Sequence, residues 1–127
     1  MPNMRRTTAT IGAAALVATP LTLLTAAPAS AAEKEFGIGG ADIHFEVEKD
    51  DGRFEVELDI DDARPGSRWR VTLWHDGQRF HRKVHRADDD GEVEIDKDRR
   101  NTRGKDVFKV RVKKVGGVAK SRTIRMR

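Results

Sequence analysis

From Ala41 onward, apolar and polar positions alternate with a period of two, the signature of strands with one buried face. Ile43, Phe45 and Val47 alternate with His44, Glu46 and Glu48, and Phe54, Val56, Leu58 and Ile60 repeat the pattern after Asp50-Asp51-Gly52. A two-residue Asp51-Gly52 loop pairs Val47 with Val56, Phe45 with Leu58 and Ile43 with Ile60, so turn chemistry and apolar pattern agree. Pro65-Gly66 marks a further turn, after which Trp69, Val71 and Leu73 share one parity. With Asp76-Gly77 as the next loop, Leu73 faces Phe80, Trp69 faces Val84, and Trp74 meets Arg79 on the opposite face. Arg82 then falls opposite Val71 on the inner face, which suits an edge strand whose charged head reaches water.

Asp88-Asp89-Asp90-Gly91 is another turn signal, Val93 and Ile95 make a short strand, and Asp96 to Lys105 reads as a polar loop. Phe108, Val110 and Val112 pair with a last strand holding Ile124 and Met126. A plain Gly116-Gly117 loop would leave Ile124 and Met126 pointing outward. A bulge or odd-length loop within residues 114–120 turns them inward, Ile124 against Val110 and Met126 against Phe108. Burying each is worth roughly 1.5 to 3 kcal/mol, so the shifted register is the expected one.

About seven strands and no helical periodicity predict an all-β domain over residues 41–127, a single antiparallel β-sandwich with no internal repeat. Its predicted core is Phe45, Val56, Leu58, Trp69, Val71, Leu73, Phe80, Phe108, Val110 and Val112. Gly37, Gly39 and Gly40 make residues 33–40 a flexible glycine-rich lead-in. The order of hairpins, with stretches such as Trp69 to Gly77 and Asp106 to Gly116, resembles small bacterial secreted immunoglobulin-like or fibronectin-III-like domains. The chain carries neither the cysteine pair nor the tyrosine corner of antibody-type domains, having no Cys and no Tyr.

Residues 1–32 read differently. Arg5 and Arg6 precede an apolar, small-residue run from Ile11 to Ala27, and Ala29-Ser30-Ala31 offers a peptidase site. The expectation is a cleaved signal peptide ending at Ala31 or Ala32, a secreted or cell-envelope location, and no transmembrane span in the mature chain. The absence of cysteine removes disulfide staples, thiol catalysis and thiolate metal sites.

Charge changes the picture most. The whole chain is only +4, but residues 32–62 hold three basic groups against twelve acidic ones, and residues 99–127 hold twelve basic groups against Asp106 alone. In a sandwich the first two predicted strands share one sheet and the third, sixth and seventh share the other, so the two outer faces carry opposite sign. On the acidic side Glu48 faces Glu55 and Glu46 faces Glu57, a like-charge arrangement that costs stability. On the basic side Arg70, Trp74, His81, Lys83, Lys109, Arg111 and Lys113 share outward parity, and Arg125 joins them in the shifted register. An aromatic plane among cations can stack on sugars or bases while the cations attract phosphate, sulfate or carboxylate.

These patterns predict a non-enzymatic binding module that engages an anionic extracellular polymer, a cell-envelope glycan, phosphate polymer or nucleic acid, through Arg70, Trp74, Lys83, Lys109, Arg111, Lys113 and Arg125. The alternative is a structural interaction protein that binds itself or a partner protein through Glu46, Glu48, Glu55 and Glu57 against the basic hairpin. A small hydrolase or enzyme inhibitor ranks third, because Ser67 and Ser121 lie outside any nucleophile motif. No cofactor or metal is expected. In a strand, His81 and His85 stand roughly 13 Å apart, too far to share one ion without a bend. The runs at Asp59 to Asp62, Asp88 to Asp90 and Asp96 to Asp98 lack the spacing of a helix-loop calcium site and read as turn residues.

Overall fold

The computed structural model describes residues 31–127, which form eight strands and, among the described residues, no helix. They are β1 (Ala31–Ile38), β2 (Ala41–Asp50), β3 (Arg53–Asp61), β4 (Arg68–His75), β5 (Gln78–Arg86), β6 (Val93–Arg100), β7 (Asp106–Lys114) and β8 (Ala119–Met126). The expected signal segment lies outside the described residues except for its last two, Ala31 and Ala32, which begin β1. Two antiparallel sheets, β1-β2-β3-β6 and β5-β4-β7-β8, pack as a β-sandwich around one core. Phe54 of β3 meets Phe108 of β7 edge to face across it, with ring centroids 5.0 Å apart.

The β2–β3 hairpin has the register its turn dictates, including Val47 on Val56, Phe45 on Leu58 and Ile43 on Ile60. Asp51 and Gly52 both take positive φ, as do Asp76 and Gly77 in the β4–β5 turn, the backbone a tight primed hairpin needs. Of the predicted core, nine residues are fully buried, and Phe80 is partly buried against its rim.

Four expectations change. Of residues 33–40, expected as a flexible lead-in, 33–38 belong to an edge strand that begins at Ala31, because Ala32, Phe36 and Ile38 alternate inward over β2 while Glu33 and Glu35 point out. β6 continues to Arg100 through the segment expected as a loop, since β3 offers it a paired edge along its whole length.

A bulge between Leu73 and Trp74 leaves Phe80 unpaired, so Trp74 still meets Arg79 but Leu73 meets His81 and Trp69 meets His85. Arg82 therefore faces Thr72 on the outer surface, and His81 and Lys83 turn to the inner side. The last hairpin has the odd-length loop that buries Ile124 and Met126, but with Ile124 against Phe108 and Met126 against Asp106. The loop Val115-Gly116-Gly117 is closed by Lys114 N–H donating to Val118 O at 3.2 Å, two positions tighter than the pairing the sequence suggested.

The connections are pinned by specific contacts. Asp88 Oδ1 accepts from the backbone N–H of Asp90 and Glu92, both at 2.9 Å, so this aspartate run caps its own turn. Gly91 has φ +76° and packs so tightly on the β3–β4 connection that an added Cβ would lie 2.1 Å from Ala63 O. Only glycine fits there.

Candidate functional site

The sheet β5-β4-β7-β8 contains a single carboxylate, Asp106, and that one is buried. Pairing places outward residues in cross-strand rows: Arg79, Trp74, Lys109 and Thr123; Arg82, Thr72, Arg111 and Ser121; Val84, Arg70, Lys113 and Ala119. Arg125 lies outward beside Val107. Of the residues predicted for this surface, Arg70, Trp74, Lys109, Arg111, Lys113 and Arg125 share it, and Lys83 does not. The bulge at Phe80 reverses the parity of β5, removing Lys83 and His81 and supplying Arg82 instead, while Arg79 stands before the bulge.

Trp74 is half-buried at the middle of this face, with Lys109 Nζ 5.2 Å from its ring centroid. It separates two shallow depressions. One is lined by Arg70, Thr72, Trp74, Arg79, Arg82 and Arg111, an arginine-rich cup with planar donors suited to phosphate, sulfate or carboxylate oxygens. The other, lined by Trp74, Gly77, Val107, Lys109, Thr123 and Arg125, is more apolar. Along β7 the outward cations Lys109, Arg111 and Lys113 recur about every 6.6 Å, forming a linear track.

The opposite face is its inverse. Glu33, Glu46, Glu57 and Asp96 form a row across all four strands, followed by Glu48, Glu55 and Asp98. The predicted residues Glu46, Glu48, Glu55 and Glu57 lie here together. β1 and β6 double the width of the surface, and the alternation of Glu33 and Glu35 with Phe36 and Ile38 was the available signal for β1. The charge of Asp96, then burial and the charges of Glu48, Asp98 and Asp50, raise the pKa of Glu55. Burial first, then neighbouring carboxylates, raises those of Glu57 and Asp59. Every ion pair within 4.0 Å among the described residues involves a histidine, so the lysines and arginines do not neutralise this face at contact.

Two histidines answer carboxylates. His44 Nδ1 lies 3.2 Å from Glu35 Oε2, and its Nε2 lies 3.3 Å from Glu33 and 3.7 Å from Glu46. Burial disfavours its charge, but these partners outweigh that and raise its pKa. His75 and Asp106 are buried where β4 meets β7. Arg99 Nε donates to His75 Nδ1 at 3.2 Å, which fixes the proton on Nε2 for donation to Asp106 Oδ1 at 2.7 Å. Thr102 donates to the same oxygen from its backbone N–H and its hydroxyl. Both the Glu33-His44-Glu46 and His75-Asp76-Asp106 sets bring ligand-type atoms within 4.8 Å of one another. In the second set the tautomer makes His75 a donor that locks the β6–β7 loop rather than a free metal ligand. This network was invisible in sequence, because Asp106 looks like one acid lost in a basic segment.

No helix among the described residues is long and apolar enough to cross a membrane. No known protein family, curated protein or solved structure matches the chain.

Proposed function

We propose that this chain is an exported, non-enzymatic binding module of the immunoglobulin-like type that holds an anionic extracellular polymer on its basic sheet face. The observation that carries this reading is a four-stranded surface whose outward charges are all positive, arranged around a half-buried Trp74. Phosphate, sulfate or carboxylate groups spaced along a polymer would engage the β7 track and the arginine cup, and Trp74 would stack on a sugar or base. The immunoglobulin-like type draws support from strand distribution. Leaving β1 aside, the first, second and fifth strands share one sheet and the third, sixth and seventh share the other, while the fourth, β5, pairs with the third instead of joining the first sheet as in the constant-type immunoglobulin arrangement.

The test compares the two faces. Replacing Lys109, Arg111 and Arg125 together with Ser should weaken retention on a polyanion resin with little change in melting temperature. Replacing Glu46, Glu55 and Glu57 with Gln should leave retention equal or stronger. A basic-face variant retained as tightly as the parent would overturn the proposal.

A second reading rests on the acidic rows. Because the two charged faces lie on opposite sides of the sandwich, acidic-on-basic contact between copies is heterologous and builds open stacks rather than a closed dimer. Particle mass that grows with concentration at low salt and collapses at high salt would favour it.

A further inference from the structure

We propose that His81 and His85 form a two-nitrogen chelate for a late transition-metal cation, Cu²⁺ above all, in the groove between the edge strands β5 and β6. Residues four apart on a flat strand stand about 13 Å apart at Cα, and their side chains ordinarily run parallel. Here the two rings lean toward each other, with centroids 5.1 Å apart and planes 27° apart, and their Nε2 atoms meet at 2.9 Å. The bulge at Phe80 makes this possible, because it turns both rings to the inner side of an edge strand, where a groove rather than the core receives them.

The separation already suits a chelated ion. Two nitrogens each about 2.05 Å from a metal lie about 2.9 Å apart when they subtend about 90°, the angle of square-planar or octahedral neighbours, and about 3.3 Å apart in a tetrahedral site. The 2.9 Å contact is a hydrogen bond in which one ring nitrogen donates to the other; its length is also that of the first geometry, so Cu²⁺ or Ni²⁺ would replace the shared proton with little movement of the rings, and copper leads the affinity order for nitrogen ligands. Glu94 and Asp96 border the same groove but bring no carboxylate oxygen within 4.8 Å of both nitrogens, so water would fill the remaining positions, and Lys83 and Lys97 bring opposing charge that limits affinity. Burial first, then the charges of His85, Lys97 and Lys83, lowers the pKa of His81 to about 4, and burial followed by Lys83 and Lys97 lowers that of His85, so the surroundings disfavour the imidazolium forms that cannot ligate. The groove is separate from the basic outer face, so this site stands or falls independently of the polymer-binding reading.

The experiment is titration of the full chain with Cu²⁺ in the presence of a weak competing chelator, read by calorimetry and by electron paramagnetic resonance. The result expected is one tightest site per chain with a tetragonal spectrum showing coupling to imidazole nitrogen. His81→Ala and His85→Ala should each lower its affinity about tenfold or more. His44→Ala should leave it unchanged. His81→Asn and His85→Asn, which keep a polar side chain on the edge strand, should reproduce the loss if alanine loosens the hairpin. Parental affinity in the His81 and His85 variants, or loss of the site in His44→Ala alone, would overturn the proposal.

Discussion

Opposite pKa shifts on the two sides of the molecule give single residues a measurable signature. Burial, then the charges of His85, Lys97 and Lys83, lowers His81 to about 4 from an ordinary 6.5. Between those values the unfolded chain binds more protons at this position than the folded one, so the folding stability it contributes is lost as pH falls through that window. His44, Glu57 and Asp59 are shifted upward and act in the reverse sense, gaining stability as pH falls through their folded values. Denaturant midpoints should therefore show His81→Asn gaining on the parent as pH drops from about 6.5 toward about 4, with no gain above about pH 7. A constant difference across that range would mean that His81 titrates normally. None of these shifts is legible in the sequence, because each depends on which residues the register brings together.

At the scale of elements, legibility followed turn chemistry. Asp51-Gly52 specifies a two-residue loop whose register agrees with the apolar pattern on both strands, and the structure has that register. Asp76-Gly77 specifies its turn equally well, but the bulge two residues later moves His81 and Lys83 off the outer face and exchanges the partner of Leu73. Residues 78–86 hold only Phe80 and Val84 as apolar markers, so alternation could not reveal the extra residue. β1 was hidden by Gly37 and by the Gly39-Gly40 turn that follows it, and the outer part of β6 by its run of charged residues, which pair with β3 through backbone rather than through an apolar face.

In the last hairpin, burial energy predicted the parity of Ile124 and Met126 but not which residues they face, because two odd-length registers bury both. Neighbouring substitutions test that parity. Ile124→Ala should cost about 2–5 kcal/mol in denaturant unfolding, and Arg125→Ala should stay within about 0.5 kcal/mol. Equal costs would place the strand in the other register.

Over the whole molecule, the uneven charge along the chain becomes a division between two sheet faces, because the first hairpin and the last fall in different sheets. The acidic rows carry a repulsive cost that salt, cations or a partner would relieve, while the basic face brings its cations together without a carboxylate among them. The most direct test of the proposed role is the salt dependence of binding to a single-stranded oligonucleotide, used as a simple phosphate polymer. If about four cations of the basic face engage, log K should fall with log salt at a slope near −3, and the triple Lys109, Arg111 and Arg125 to Ser variant should flatten that slope by about 2. An unchanged slope in the variant, or no binding by the parent at low salt, would contradict the account.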